Sequence, residues 1–95
     1  MKNYYVYILA SKCNGTLYIG VSSNLLKRIW QHKNKVVAGF SAKFGIDKLV
    51  YFDEHKDIIT AIQREKKLKA WKRAWKIKLI EKINLHWLDL YYELF

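Results

Sequence analysis

The sequence predicts a single α/β (α+β) domain over residues 1–95, built as a three-stranded, mostly antiparallel sheet flanked by helices in the order β-β-α-β-α-α. Three features carry that prediction. Two β-rich runs flank Asn14-Gly15, a dipeptide whose tolerance of positive φ suits a tight hairpin turn. A third β-rich run, residues 47–54, stands alone between segments of helical period. From Asp57 onward there is neither glycine nor proline, so no local breaker interrupts helix. Ninety-five residues suit one domain with a modest core.

The hairpin is the organising element. A two-residue type I′ turn at Asn14-Gly15 predicts Cys13 opposite Thr16, Ser11 opposite Tyr18, Leu9 opposite Gly20 and Tyr7 opposite Ser22. Side chains alternate along a strand and paired residues share a face. Val6, Ile8, Ala10, Leu17, Ile19 and Val21 therefore form one aliphatic, core-directed face. Tyr5, Tyr7, Leu9, Tyr18, Gly20 and Ser22 form the other, where Gly20 lets another group approach the backbone closely. That second face reads as a site floor or, more plainly, as tyrosines serving as good strand formers.

Ser22-Ser23-Asn24 supplies helix N-cap chemistry ahead of residues 25–32, where Leu25, Leu26, Ile29 and Trp30 fall at helical spacing. Arg28 and His32, four apart, are neighbours on the helix surface at the edge of that stripe. The pair either overlooks the tyrosine face or is a solvated arginine beside a partly buried histidine. Residues 33–45 carry Lys33, Lys35, Lys43, Phe40 and Phe44 with no sustained period, a long basic loop of the kind that often has a function. The third strand mixes Leu49, Val50, Tyr51 and Phe52, which fits packing on both faces.

In the first helical segment after Asp57, the inward stripe Ile58, Ala61, Ile62 and Leu68 includes Glu65. Burying an unpaired carboxylate is costly, so Glu65 needs an arginine, a lysine or a metal ion; an ion pair with Arg28 is the plain alternative to a metal site. Between Arg64 and Lys82 nine cationic residues face only Glu65 and Glu81. Lys69, Lys72, Arg73 and Lys76 form one helical stripe, and Leu68, Trp71, Trp75 and Leu79 another. Lys43, Lys66, Lys69, Lys72, Arg73 and Lys76 are the candidate phosphate contacts of this cationic surface. The apolar tail from Leu85 to Phe95 either folds back on the domain or offers a self-association surface.

Eighteen Lys and Arg against eight Asp and Glu leave a net charge of +10, which attracts polyanions, nucleic acid first among them. A single cysteine excludes an internal disulfide framework and a cysteine zinc cluster, and points to a reduced, cytoplasmic setting. No uncharged apolar run approaches the roughly 18 residues that span a bilayer, so no membrane partner is expected.

Taken in order, these residues resemble the GIY-YIG nuclease superfamily, and its small standalone bacterial members in particular. The first signature half corresponds to Tyr5-Val6-Tyr7 and the second to Tyr18-Ile19-Gly20, with ten residues between Tyr7 and Tyr18. Arg28, His32, Glu65 within Arg64-Glu65-Lys66, and Asn84 before Leu85 follow in family order. Three positions depart from the pattern: Tyr5 in place of the first glycine, Val21 where some members carry lysine, and Leu85 where proline is common. The resemblance implies metal-dependent hydrolysis of DNA phosphodiesters, with RNA as the other nucleic-acid substrate, and through kinship with excision-repair nuclease domains a setting in DNA repair or processing. It implies that Glu65 holds one Mg²⁺ or Mn²⁺, that Tyr18 deprotonates or positions the attacking water, and that Arg28 neutralises charge on the phosphate. It also implies that Tyr7 and His32 orient the water and that Asn84 braces the site. An ordinary phenol has a pKa of about 10, so the assigned base needs a neighbouring positive charge, which Arg28 offers. The alternative is a non-catalytic nucleic-acid-binding module on the same fold, the reading that Val21 favours.

Overall fold

The structure, a computed structural model, describes residues 3–36 and 39–95, without the side chain of Phe40. Part of the predicted basic loop, residues 37 and 38 with the Phe40 ring, thus lies outside the described residues. The elements are strands β1 (Tyr4–Ala10), β2 (Leu17–Ser22) and β3 (Lys48–His55), and helices α1 (Leu25–Lys33), α2 (Phe40–Lys43), α3 (Ile58–Ala70) and α4 (Arg73–Ile83), followed by a 3₁₀ turn at Leu90–Glu93. The strands form one three-stranded sheet in the order β2-β1-β3, and both pairings are antiparallel. The predicted element order holds, with α2 and the 3₁₀ turn added to it.

The hairpin register differs from the two-residue turn. Leu9 pairs with Tyr18, Tyr7 with Gly20 and Tyr5 with Ser22. The turn runs over Lys12 to Gly15, closed by the Gly15 N–H donating to the Lys12 carbonyl at 2.9 Å. Asn14 and Gly15 do different jobs in it. Asn14 takes the left-handed conformation, at φ 57°, which asparagine tolerates. Gly15 supplies room, because a Cβ there would lie 2.3 Å from Ser11 Oγ. The shift is two residues, an even number, so every side chain stays on its predicted face.

Both faces are core. The aliphatic face, with Val6, Ile8, Ala10 and Ile19, packs under Ala61 and Leu68 of α3, Ile80 of α4 and Trp87. The tyrosine face is not an open floor: Tyr7 and Leu9 are buried under Leu25 and Ile29 of α1, with Ile46 and Tyr91. β3 serves both sides through a bulge. The pairing passes from Ile8 opposite Tyr51 to Leu9 opposite Leu49, which leaves Val50 as the extra residue and sends Val50 and Tyr51 to one core and Leu49 to the other.

The two helices expected after Asp57 are divided within the basic segment, at Trp71 and Lys72. Trp71 and Lys72 both adopt extended backbone, with ψ 148° in each, although neither is a helix breaker. Trp71 packs on the core cluster below α3, and its ring meets that of Trp75 edge-on at 6.0 Å. Arg73 Nη2 donates to the carbonyls of Asn14 and Gly15, each at 2.7 Å, which ties the start of α4 to the hairpin turn. Tertiary contacts override helix propensity here, and the continuous stripes expected from Leu68 to Leu79 and from Lys69 to Lys76 are divided by the bend.

The tail folds back in part. Trp87 and Tyr91 are buried, whereas Leu85, Leu88, Tyr92 and Phe95 remain exposed. Asp89 anchors it by pairing with Lys33 and by accepting from the N–H groups of Leu49 and Tyr91, both at 3.1 Å. Among the described residues no helix is long and apolar enough to cross a membrane.

Candidate functional site

The observed register builds the site. Placing Tyr7 opposite Gly20 lays the tyrosine ring across the glycine, where a Cβ would fall 2.4 Å from Tyr7 Oη. The close approach that Gly20 permits is thus made by the protein's own phenol. Tyr7 Oη meets His32 Nε2 at 3.0 Å, and His32 Nδ1 meets Ser41 Oγ of α2 at 2.9 Å. Tyr18 completes the cluster from β2, its ring 5.4 Å from that of His32 and 6.5 Å from that of Tyr7. Ser41, buried and bonded to the histidine, was not foreseen, because a serine in an aperiodic loop gives no signal before the loop is folded.

Electrostatics differentiate these groups. Burial pushes the Tyr7 phenol far above its ordinary range, Tyr18 and Glu65 add to that, and Arg28 opposes it. Tyr7 is therefore a held proton donor and a poor base. Burial lowers the His32 pKa, Arg28 lowers it further, and Asp47 partly offsets them. A neutral imidazole has one donor and one acceptor. With Tyr7 assigned as donor to Nε2, Nδ1–H donates to Ser41 Oγ, and the relay is saturated.

The depressed His32 pKa has a measurable consequence. The unfolded chain takes up this proton more readily than the folded one, so the contribution of His32 to stability is complete above about pH 6.5 and is lost as pH falls through the lower folded value. Urea unfolding at stepped pH should show this loss in the wild type. In His32→Tyr that part of the acid slope should vanish; an unchanged slope would assign the acid sensitivity elsewhere.

Arg28, one helical turn before His32, lines a polar cleft of about 210 Å³ with Ser22, Ser23, Asn24, Lys27 and Gln31. Asn24 caps α1 by accepting from the Lys27 N–H at 3.1 Å, so the cleft opens at a helix N-terminus beside a guanidinium. Such an end favours anions.

Glu65 lies on α3 with its side chain 16% exposed, paired with Lys69 Nζ at 3.4 Å and not with Arg28. Among the described residues no group of three or more His, Cys, Asp or Glu gathers, so Glu65 offers its carboxylate outside any such cluster. That donor set fits magnesium, which keeps most of its waters and takes one or two carboxylates plus phosphate oxygens. It does not fit a structural zinc site.

Asn84 stands apart from this cluster. It ends α4, donates from Nδ2 to the carbonyls of Val50 at 3.0 Å and Leu88 at 2.9 Å, and accepts from the Leu88 N–H. None of these bonds reaches Tyr7, Tyr18, Arg28, His32 or Glu65. The six candidate phosphate contacts also divide. Arg73 is bound to the hairpin turn, and Lys76 donates to the Lys69 carbonyl at 3.3 Å. Lys69 pairs with Glu65, Lys72 lies 5.8 Å from the Trp75 ring, Lys43 lies 5.6 Å from the Phe44 ring, and Lys66 is exposed.

Residues 3–78 match the family model described as the GIY-YIG catalytic domain. A UPF0213 protein of Clostridium perfringens is 41% identical over 76 residues, covering 80% of this chain and 81% of its own. A UPF0213 protein of Staphylococcus saprophyticus is 34% identical over 80 residues, covering 84% and 96%. The solution NMR structure of a UPF0213 protein from Bacillus halodurans superposes with a TM-score of 0.54 at 27% identity, over 86% of each chain.

Proposed function

The chain belongs to the GIY-YIG nuclease-domain family, and from that premise we infer that it is a divalent-metal-dependent endonuclease of DNA, working in the cytoplasm in DNA repair or processing. The observation that carries the reading is the Tyr7–His32–Tyr18 cluster seated on Gly20, with the Arg28 and Glu65 charges both acting on Tyr7. RNA is the competing substrate.

Mg²⁺ or Mn²⁺ held by Glu65 would supply Lewis-acid polarisation of the phosphate oxygens. The protein's own groups do the rest. Arg28 in its cleft faces the scissile phosphate and offsets the charge that builds on it. Tyr18, less buried than Tyr7, presents its hydroxyl to the attacking water and takes or directs its proton. The water oxygen bonds to phosphorus as the opposite P–O bond breaks, and the leaving alkoxide is protonated by solvent. Tyr7, saturated by His32, fixes the rings that orient this water. Asn84 acts as a positioning residue by joining α4 to the Val50 carbonyl at the bulge. Lys43, Lys66, Lys69 and Lys72 meet the DNA backbone from the surrounding surface, while Arg73 and Lys76 hold that surface in shape.

The test is cleavage of supercoiled plasmid, branched DNA and single-stranded DNA with Mg²⁺ or Mn²⁺. Wild type should nick, and Arg28→Ala should lose about 10²-fold in rate at saturating DNA while its affinity falls far less. Salt-sensitive binding with no cleavage of any substrate under either metal would establish the binding module instead.

A further inference from the structure

α4 carries a second surface, which shares only Lys72 with this chemistry. Trp71, Trp75 and Leu79 line an apolar groove of about 450 Å³ whose remaining walls are Lys78 and Lys82. Trp71 is fixed from behind: it packs on the core, and the Arg64 guanidinium lies 5.5 Å from its ring. It in turn fixes Trp75, which meets it edge-on at 86° and yet is 52% exposed. The Lys72 ammonium lies 5.8 Å from the Trp75 ring.

Two like charges border this groove. Lys78 and Lys82 are four apart on one helix, a like-charge spacing that repels. Neither forms an ion pair among the described residues. Glu81, the acid of α4, is turned away and accepts from the Trp87 indole N–H at 2.7 Å. A rigid, half-exposed indole ringed by unneutralised lysines matches what unpaired nucleic acid needs: a flat apolar platform for a base and cations for the flanking phosphates. Duplex DNA keeps its bases stacked on each other and would gain only the lysines.

We propose that the Trp71–Trp75–Leu79 groove is a binding site for single-stranded nucleic acid, which stacks a base on Trp75 and sets its phosphates against Lys72, Lys78 and Lys82. The site is linked to the candidate metal ligand through α3, since Lys76, next to Trp75, bonds the carbonyl of Lys69, the partner of Glu65. The proposal draws on the nuclease reading only for the origin of the strand, an unpaired segment beside the scissile bond.

The experiment is fluorescence anisotropy of a labelled dT15 oligonucleotide with the full chain in EDTA, so that no cleavage intervenes. Trp75→Ala should weaken dT15 binding about tenfold, and Trp75→Phe, which keeps a ring, should retain most of it. Lys78→Glu with Lys82→Glu should weaken dT15 as well and reduce the salt slope by about 1.4, the equivalent of two phosphates. A 15-base-pair duplex should respond to the lysine changes and not to Trp75→Ala. Wild-type affinity for dT15 in folded Trp75→Ala would overturn the proposal. So would a Trp75→Ala defect confined to binding of anionic phosphatidylglycerol vesicles, which would make the groove a membrane contact. If cleavage is absent under every metal while Trp75-dependent binding persists, the nuclease reading fails and this site stands.

Discussion

Glu65→Ala is expected to lose about 10³-fold or more of the plasmid-nicking rate, with unfolding free energy within about 0.5 kcal/mol of wild type. The two halves of that expectation have separate causes. Activity should collapse because Glu65 is the carboxylate that would hold the metal ion, and among the described residues no group of three or more His, Cys, Asp or Glu gathers to hold it in its place. Stability should hold because, among the described residues, the only ion pair lost is an i,i+4 contact whose lysine is 55% exposed, and such pairs contribute a few tenths of a kcal/mol. Glu65→Gln sharpens the result, since it keeps the shape and removes the charge; it should fail like alanine. Urea unfolding and dT15 binding on the same preparations would show that an inactive variant is folded and still holds nucleic acid. Cleavage by Glu65→Ala at the wild-type rate would remove Glu65 from the metal site and with it the proposed reaction.

What is legible in the sequence depends on whether a short period or a long-range contact decides the outcome. The two faces of the hairpin follow from a period of two, and they survived a turn assigned to the wrong geometry because the error in register was even. The same error hid the most informative contact. With Leu9 opposite Gly20, the glycine faces an aliphatic residue; with Tyr7 opposite it, the glycine becomes the seat of the phenol that His32 holds. The bend at Trp71 and Lys72 was not legible, because its cause lies in the core under Trp71 and in the hairpin carbonyls that Arg73 reaches. Glu65 is, as its stripe implies, a carboxylate with a partner, but the partner is Lys69 on its own helix. Arg28 instead turns to the cleft at the start of α1.

Gly20→Ala should be the most damaging single methyl group in the hairpin. The new Cβ would lie 2.4 Å from Tyr7 Oη, 2.5 Å from Cζ and 3.0 Å from Cε2, contacts that no well-packed pair makes. The ring has little freedom to yield. Tyr7 is 2% exposed, sits among Leu9, Leu25 and Ile29, and is held at its far end by His32. Either the phenol swings away, which adds an unsatisfied buried imidazole nitrogen to the overpacking, or β1 and β2 separate. Together these cost about 3 kcal/mol, which in a domain of this size lowers the melting temperature by roughly 15 °C. The cause can be isolated by combining Gly20→Ala with Tyr7→Leu, because shortening the ring removes the atoms that clash. The double variant should be more stable than the sum of the two single effects by about 1–2 kcal/mol, and it should remain inactive. Simple additivity would show that Gly20 is needed for the strand backbone and not for the ring above it. Recovered activity would show that neither the Tyr7 hydroxyl nor its bond to His32 is needed to orient the water, leaving Tyr18 and Arg28 to do so.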